Sequence, residues 1–92
     1  MALKIKVENM QSSNGNDIPN QFIIQTDEGL YFQSYSSVIA FKPLRGKIQL
    51  DAWKWDYSVT TGKYRNQFLN ETKKETERKI KEGIYELVDL NR

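Results

Sequence analysis

The stretch Trp53–Leu69, WKWDYSVTTGKYRNQFL, changes hydrophobic period part-way along, and that switch limits the folds open to the chain. In its first part Trp53, Trp55 and Tyr57 alternate with Lys54, Asp56 and Ser58, the two-residue period of a strand. In its second part Tyr64, Phe68 and Leu69 stand at i, i+4 and i+5, one side of a helix. The spacing predicts a strand that delivers the chain directly into a helix.

The residues before this switch read as strands. Ala2–Glu8 sets Leu3, Ile5 and Val7 against Lys4, Lys6 and Glu8, a half-buried strand. Asn9–Asn20 is polar and rich in turn formers and predicts a surface loop. Gln21–Thr26 predicts a strand with Phe22 and Ile24 on one face and Ile23 on the other. Asp27-Glu28-Gly29 fits a three-residue hairpin with a left-handed glycine. Leu30–Ser36 then pairs back, with Leu30 and Phe32 toward the core and Tyr31, Gln33 and Tyr35 opposite. Ser37–Phe41 either continues that strand or forms its own, and Lys42–Gly46 turns the chain. Lys47–Tyr57 reads as one long strand whose apolar parity shifts near Asp51. A bulge there, two covered faces, or an exposed aromatic face would each account for the shift.

Beyond the switch, Ser58 or Thr60 caps a helix. Asn70 and Thr72 break it, and Thr72-x-x-Glu75 restarts it as a capping box. Thr72, Thr76 and Ile80 form a thin inward stripe, Gly83 ends the helix, and Ile84–Leu90 returns as a last strand, paired with an inner strand or with the first one. The predicted fold is α+β: an antiparallel sheet of four to six strands, with one or two C-terminal helices packed on one face and the last strand after the helix. Residues 1–92 form one domain. In its core Phe68 and Leu69 should meet Phe22, Ile24, Phe32 and Leu50.

Composition removes several kinds of function. The chain has no cysteine and no histidine, which excludes disulfides, the usual zinc sites and every histidine-based acid–base or nucleophilic arrangement. Asp51 and Asp56 would point to opposite faces of one strand, and Glu71 and Glu75 lie among lysines; neither pair suits acid–base chemistry or magnesium. The chain is not expected to be an enzyme or to carry a cofactor or metal. No apolar run approaches the roughly 20 residues of a membrane span, and residues 1–10 lack a signal-peptide core, so the expectation is a cytoplasmic protein with no membrane partner. The net charge of +2 is too small to demand nucleic acid by itself.

Two features of the organising stretch suggest binding. Thr60, Thr61, Lys63, Tyr64 and Arg65 gather hydroxyls and cations at a helix start, where backbone amides and the helix dipole already favour an anion. An ordinary capped helix with solvated Lys63 and Arg65 accounts for the same residues equally well. Trp53, Trp55 and Tyr57 would make an aromatic platform on which bases stack, with Lys54 beside a phosphate. Covered by the helices, the same trio would be core, and the small size of the chain favours that.

The motif W-x-W-D-Y-S-x-T-T-G-K-Y-R-N-Q-F-L, followed by Glu75-Thr76, Lys79-Ile80, Gly83, Tyr85 and Asp89-Leu90-Asn91, resembles small uncharacterised proteins of bacteriophages and prophages. The resemblance also takes in Asn20–Thr26 and Tyr31–Ala40, and covers about Asn20–Asn91. It implies a setting in the host cytoplasm and no residue roles. In that setting the first expectation is a non-enzymatic DNA-binding module using the helix start at 58–65. The alternatives are a module that binds and inhibits a host enzyme or defence protein, and a homodimeric interaction protein.

Overall fold

The structure, a computed structural model, describes residues 4–91. Its elements in chain order are β1 (Lys6–Gln11), β2 (Asp17–Thr26), β3 (Gly29–Ser34), β4 (Ser37–Pro43), β5 (Gln49–Asp51), α1 (Val59–Leu69), α2 (Lys73–Lys81) and β6 (Glu86–Val88). The strands form one six-stranded sheet in sequence order, antiparallel from β1 to β5. After the helices β6 joins β5 in parallel, not β1. The α+β expectation holds.

One face of the sheet packs on the helices. Ile23, Phe32, Ala40 and Leu50 are successive partners across four strands and carry the core. Phe68 of α1 stacks on Phe32 with ring centroids 5.6 Å apart, and Leu69, Ile39 and Tyr85 complete the cluster. Side chains of the other parity, including Ile24, Tyr31 and Phe41, occupy the opposite face, where Tyr31 and Phe41 stack at 4.2 Å.

Several expectations change. Phe22 and Ile24 lie on the open face, and Ile23 is the one of the three that packs against the core, because pairing with Phe32 sets the register. Ile5 and Val7 are exposed rather than half-buried, and the predicted residues Ala2 and Leu3 lie outside the described residues. Asn9–Asn20 is no loop: β1 and β2 form a hairpin across residues 12–16, and Met10 and Ile18 enter the core. The extra length of β2 is taken up by a bulge, with Asn20 at φ 64° and its carbonyl accepting the Tyr35 amide. Tyr35 itself, at φ 56°, belongs to the tight turn after β3.

Asp27-Glu28 makes a two-residue turn, and Gly29 is already in β3. Gly29 is needed there for two reasons. Its φ is 147°, and a Cβ would come within 2.1 Å of the Lys42 carbonyl oxygen on β4.

The long strand Lys47–Tyr57 shrinks to Gln49–Asp51. Asp51 is the cause. Its carbonyl accepts the amides of Lys54 and Trp55, and its carboxylate accepts those of Trp53 and Leu90, so the chain curls as it leaves β5. The alternation of Trp53, Trp55 and Tyr57 therefore reflects a turn.

α1 ends at Asn70 in the left-handed conformation, and Thr72 with Glu75 forms the capping box that starts α2. Between the helices, Glu71 is almost fully buried and accepts from Thr76 Oγ1 at 2.6 Å, Lys79 Nζ at 2.6 Å and Tyr85 Oη at 2.8 Å. This carboxylate ties both helices to the approach of β6. Burial would raise its pKa, but the bonds from Lys79, Thr76 and Tyr85 outweigh burial and hold it below the ordinary glutamate value of 4.5. A lowered folded pKa means that the stabilisation is complete above about 4.5 and is lost as pH falls through the folded value. Glu71→Gln should cost about 1–3 kcal/mol at neutral pH. The difference in melting temperature between it and wild type should shrink in acid; a constant difference would remove the charge from the account.

Candidate binding surface at the start of α1

The turn 52–57 and the first turn of α1 form one surface, and its backbone is held from inside. Ser58 is the N-cap, its Oγ accepting the Thr61 amide at 3.1 Å. A hydroxyl in that place satisfies one of the amides that a helix start leaves unpaired. The first turn of α1 contains no acid of its own, but the Asp56 carboxylate lies beside it, its Oδ1 3.8 Å from where a Gly62 Cβ would stand, and partly neutralises the positive end of the helix dipole.

Arg65 turns inward, not outward. It is only 1% exposed. Its Nη1 donates to the Trp55 carbonyl at 2.7 Å and to Asp56 Oδ1 at 3.1 Å, and Nη2 donates to Asn66 Oδ1 at 3.0 Å. The guanidinium carbon lies 5.1 Å from the centroid of the Trp55 ring. Gly62 lies alongside, where even a Cβ would sit 3.6 Å from both Nη atoms. Asp56 is shared: its Oδ2 pairs with Lys73 of α2 at 2.8 Å. Burial acts to raise the Asp56 pKa, but the bonds from Lys73 and Arg65 prevail and hold it below the ordinary carboxylate value. The turn, α1 and α2 are thus joined through one carboxylate and one guanidinium.

The residues predicted for binding divide accordingly. Thr61 is wholly buried, with its Oγ1 2.9 Å from Ser34 Oγ of β3, so it joins Arg65 inside. Both were expected at the anion site, and Arg65 as a solvated cation; bonds to partners on other elements account for their burial. Thr60 and Lys63 are exposed, as that reading requires. Tyr64 is half-buried against the core, with Lys63 Nζ 5.3 Å from its ring. Lys54 reaches over the Tyr57 ring at 5.1 Å.

No flat aromatic platform forms. Trp55 is half-buried over Arg65 and packs on the core, whereas Trp53 is 71% exposed and Tyr57 is exposed. Val59, at the first position of α1, is 91% exposed. A shallow cleft of about 640 Å³ runs past Tyr57, Val59, Lys63 and Lys73, with Arg65 in its wall.

Sequence reasoning missed Asp56, Lys73 and Val59. Nothing in the nine-residue separation of Asp56 and Arg65 announces a contact made through a turn. Val59 did leave a trace: on its helix face the next positions are Gly62 and Lys63, so it has no apolar partner. Among the described residues no cluster of three acidic side chains could hold a metal, and no helix is long and apolar enough to cross a membrane.

The model of a family of unknown function, DUF8033, matches residues 5–83. The chain belongs to that family. The match spans the sheet from β1 to β5, both helices and the surface described above, and stops short of β6. No curated protein and no solved structure matches.

Proposed function

We propose that this protein is a small non-enzymatic binding module that holds a partner protein against the turn 52–57 and the first turn of α1. The observation that supports this is the exposure of Trp53 and Val59, beside Tyr57, on a backbone pinned from within by Asp51, Asp56 and Arg65. Tryptophan and tyrosine are favoured interface anchors, and an anchor that is already rigid loses less entropy on binding. Lys54, Lys63 and Lys73 stand around them and suit a partner with acidic groups at its rim. The resemblance to phage proteins fits a host enzyme or defence protein as that partner. Trp53→Ala should weaken binding at least about tenfold, roughly 1.4 kcal/mol or more, and leave the melting temperature unchanged. Capture from host lysate with nuclease present, then titration of wild type and variant with the recovered protein, makes the test; equal affinities would exclude this surface.

DNA is the second reading. Lys54, Thr60 and Lys63 around a helix start whose first turn holds no acid favour it, whereas Lys73 is already paired with Asp56 beside that turn. With Thr61 and Arg65 turned inward, fewer groups remain to meet phosphates. In a salt-titrated shift assay Lys63→Ala should weaken binding and flatten the salt dependence by about one phosphate contact. Absence of binding to single- and double-stranded DNA at low salt would remove this reading.

A further inference from the structure

We propose that the open face of the sheet is a self-association surface, on which a second copy of this chain docks face to face. The helices cover only one side of the sheet. Val7, Ile24, Tyr31 and Phe41 form a row of paired positions across four strands on the other side, and Phe22 and Val38 lie in the next row on either side of Gln33. Val7 is 58% exposed and Phe22, Ile24, Tyr31 and Val38 are half-buried, while Phe41, stacked under Tyr31 near the middle of the face, is already buried within the single chain.

Charge argues for the occupant. From β1 to β4 neither row contains an acidic or basic side chain. A two-fold contact sets a surface against itself, so like charges would repel; on this face charge is confined to the margin, at Glu86 at the β6 end of the first row and at Asp27, Glu28 and Arg45 beside Phe41. A nucleic acid would find no cation within the two rows, and at their margin only Arg45, which stands with Asp27 and Glu28. The exposed helix residues Lys73, Lys74, Glu77, Arg78 and Lys81 make the other side of the molecule strongly ionic by contrast.

Size argues the same way. The molecule measures 36 × 35 × 22 Å, and its thin dimension matches one sheet with one layer of helices, each about 10 Å deep. The open face therefore belongs to a broad side of the molecule. In projection the whole of that side spans on the order of 1,000 Å², against the about 800 Å² per partner of a standard interface, so the contact extends past the two apolar rows onto the polar residues around them. Two such sheets stacked about 10 Å apart would make a sandwich with the Tyr31–Phe41 stacks at its centre. The surface is separate from the one at the start of α1, so either can be lost without the other.

Sedimentation equilibrium over a concentration series tests the proposal, with Val7→Lys and Ile24→Lys as variants and Trp53→Ala as control. Wild type and Trp53→Ala should rise toward twice the 10.8 kDa chain mass as concentration reaches the high micromolar range. Val7→Lys and Ile24→Lys should associate at least tenfold more weakly. Melting curves at dilution, where every species is monomeric, should coincide for wild type and Val7→Lys, because Val7 is exposed in the single chain. A wild-type protein that stays monomeric throughout overturns the proposal. So does association that survives both lysine substitutions, since another surface, such as the β1 edge, would then hold the copies together.

Discussion

Arg65→Ala is expected to destabilise the protein by about 3–5 kcal/mol, the range for breaking a buried charge pair. Folded domains have roughly 5–15 kcal/mol in total, so the variant should be substantially unfolded at moderate temperature. The loss would come from several places. The Trp55 carbonyl and Asn66 Oδ1 lose their donor, Asp56 keeps only Lys73, and the side chain that fills the space beside Gly62 and under Trp55 is gone. Asp56 is partly solvated, which moderates its share of the cost. Arg65→Lys should recover less than half of the lost stability, because one ammonium cannot reproduce a planar fork that serves three acceptors and stacks on an indole. Lys63→Ala, two residues before Arg65 on the same helix but exposed, should change stability by less than about 0.5 kcal/mol. Urea melts of the three variants make the comparison. If Arg65→Ala costs less than about 1 kcal/mol, the guanidinium does not hold the turn to the helix.

Phe68→Ala should cost about 3–5 kcal/mol, as truncation of a buried phenylalanine does. Phe68 stacks on Phe32, itself wholly buried at the centre of the sheet, and Lys42 Nζ lies 4.4 Å from the Phe68 ring centroid while also donating to the Phe68 carbonyl. Truncation would open a cavity between α1 and β3 and leave the Lys42 ammonium, whose pKa burial already lowers, without its ring. The dependence of stability on urea should keep its slope while the midpoint falls. A benign Phe68→Ala would mean that α1 is not fastened to the sheet through this ring.

The two substitutions differ in how far the sequence announces them. Phe68 is legible because Tyr64, Phe68 and Leu69 repeat with helical period, and an aromatic on such a stripe belongs to a core. Arg65 is not. A guanidinium after a Thr-Thr-Gly-Lys run has the same local pattern whether it points to solvent or to a carboxylate nine residues back. The partner that decided it arrives through a turn. That turn was itself misread, since Trp53, Trp55 and Tyr57 alternate as a strand would, and the Asp51 carboxylate that curls the chain acts through backbone amides that a sequence does not display.

What the sequence by itself determined is the set of elements and their class. Alternation marked where strands lie, though it took residues 9–11 and 17–20 for loop and ran β5 on to Tyr57; helical spacing placed the helices, Thr72 and Glu75 marked the restart, Gly83 marked the end, and the chain after it returned to the sheet. Each of these depends on contacts between residues a few positions apart, so local pattern carries it. Tertiary structure decided which face of each strand is inside and which cations are free. Phe22 and Ile24 outnumber Ile23 in apolar weight, yet Ile23 is the one packed on the core, because register with Phe32 and the bulge at Asn20 override the local count. Burial of Thr61 and Arg65 likewise depends on Ser34, 27 residues before Thr61, and on Asp56 across the turn. The physical reason is the same in both cases: a side chain's surroundings are set by the lowest free energy of the whole packed sheet and helix layer, and no window of neighbouring residues contains that information.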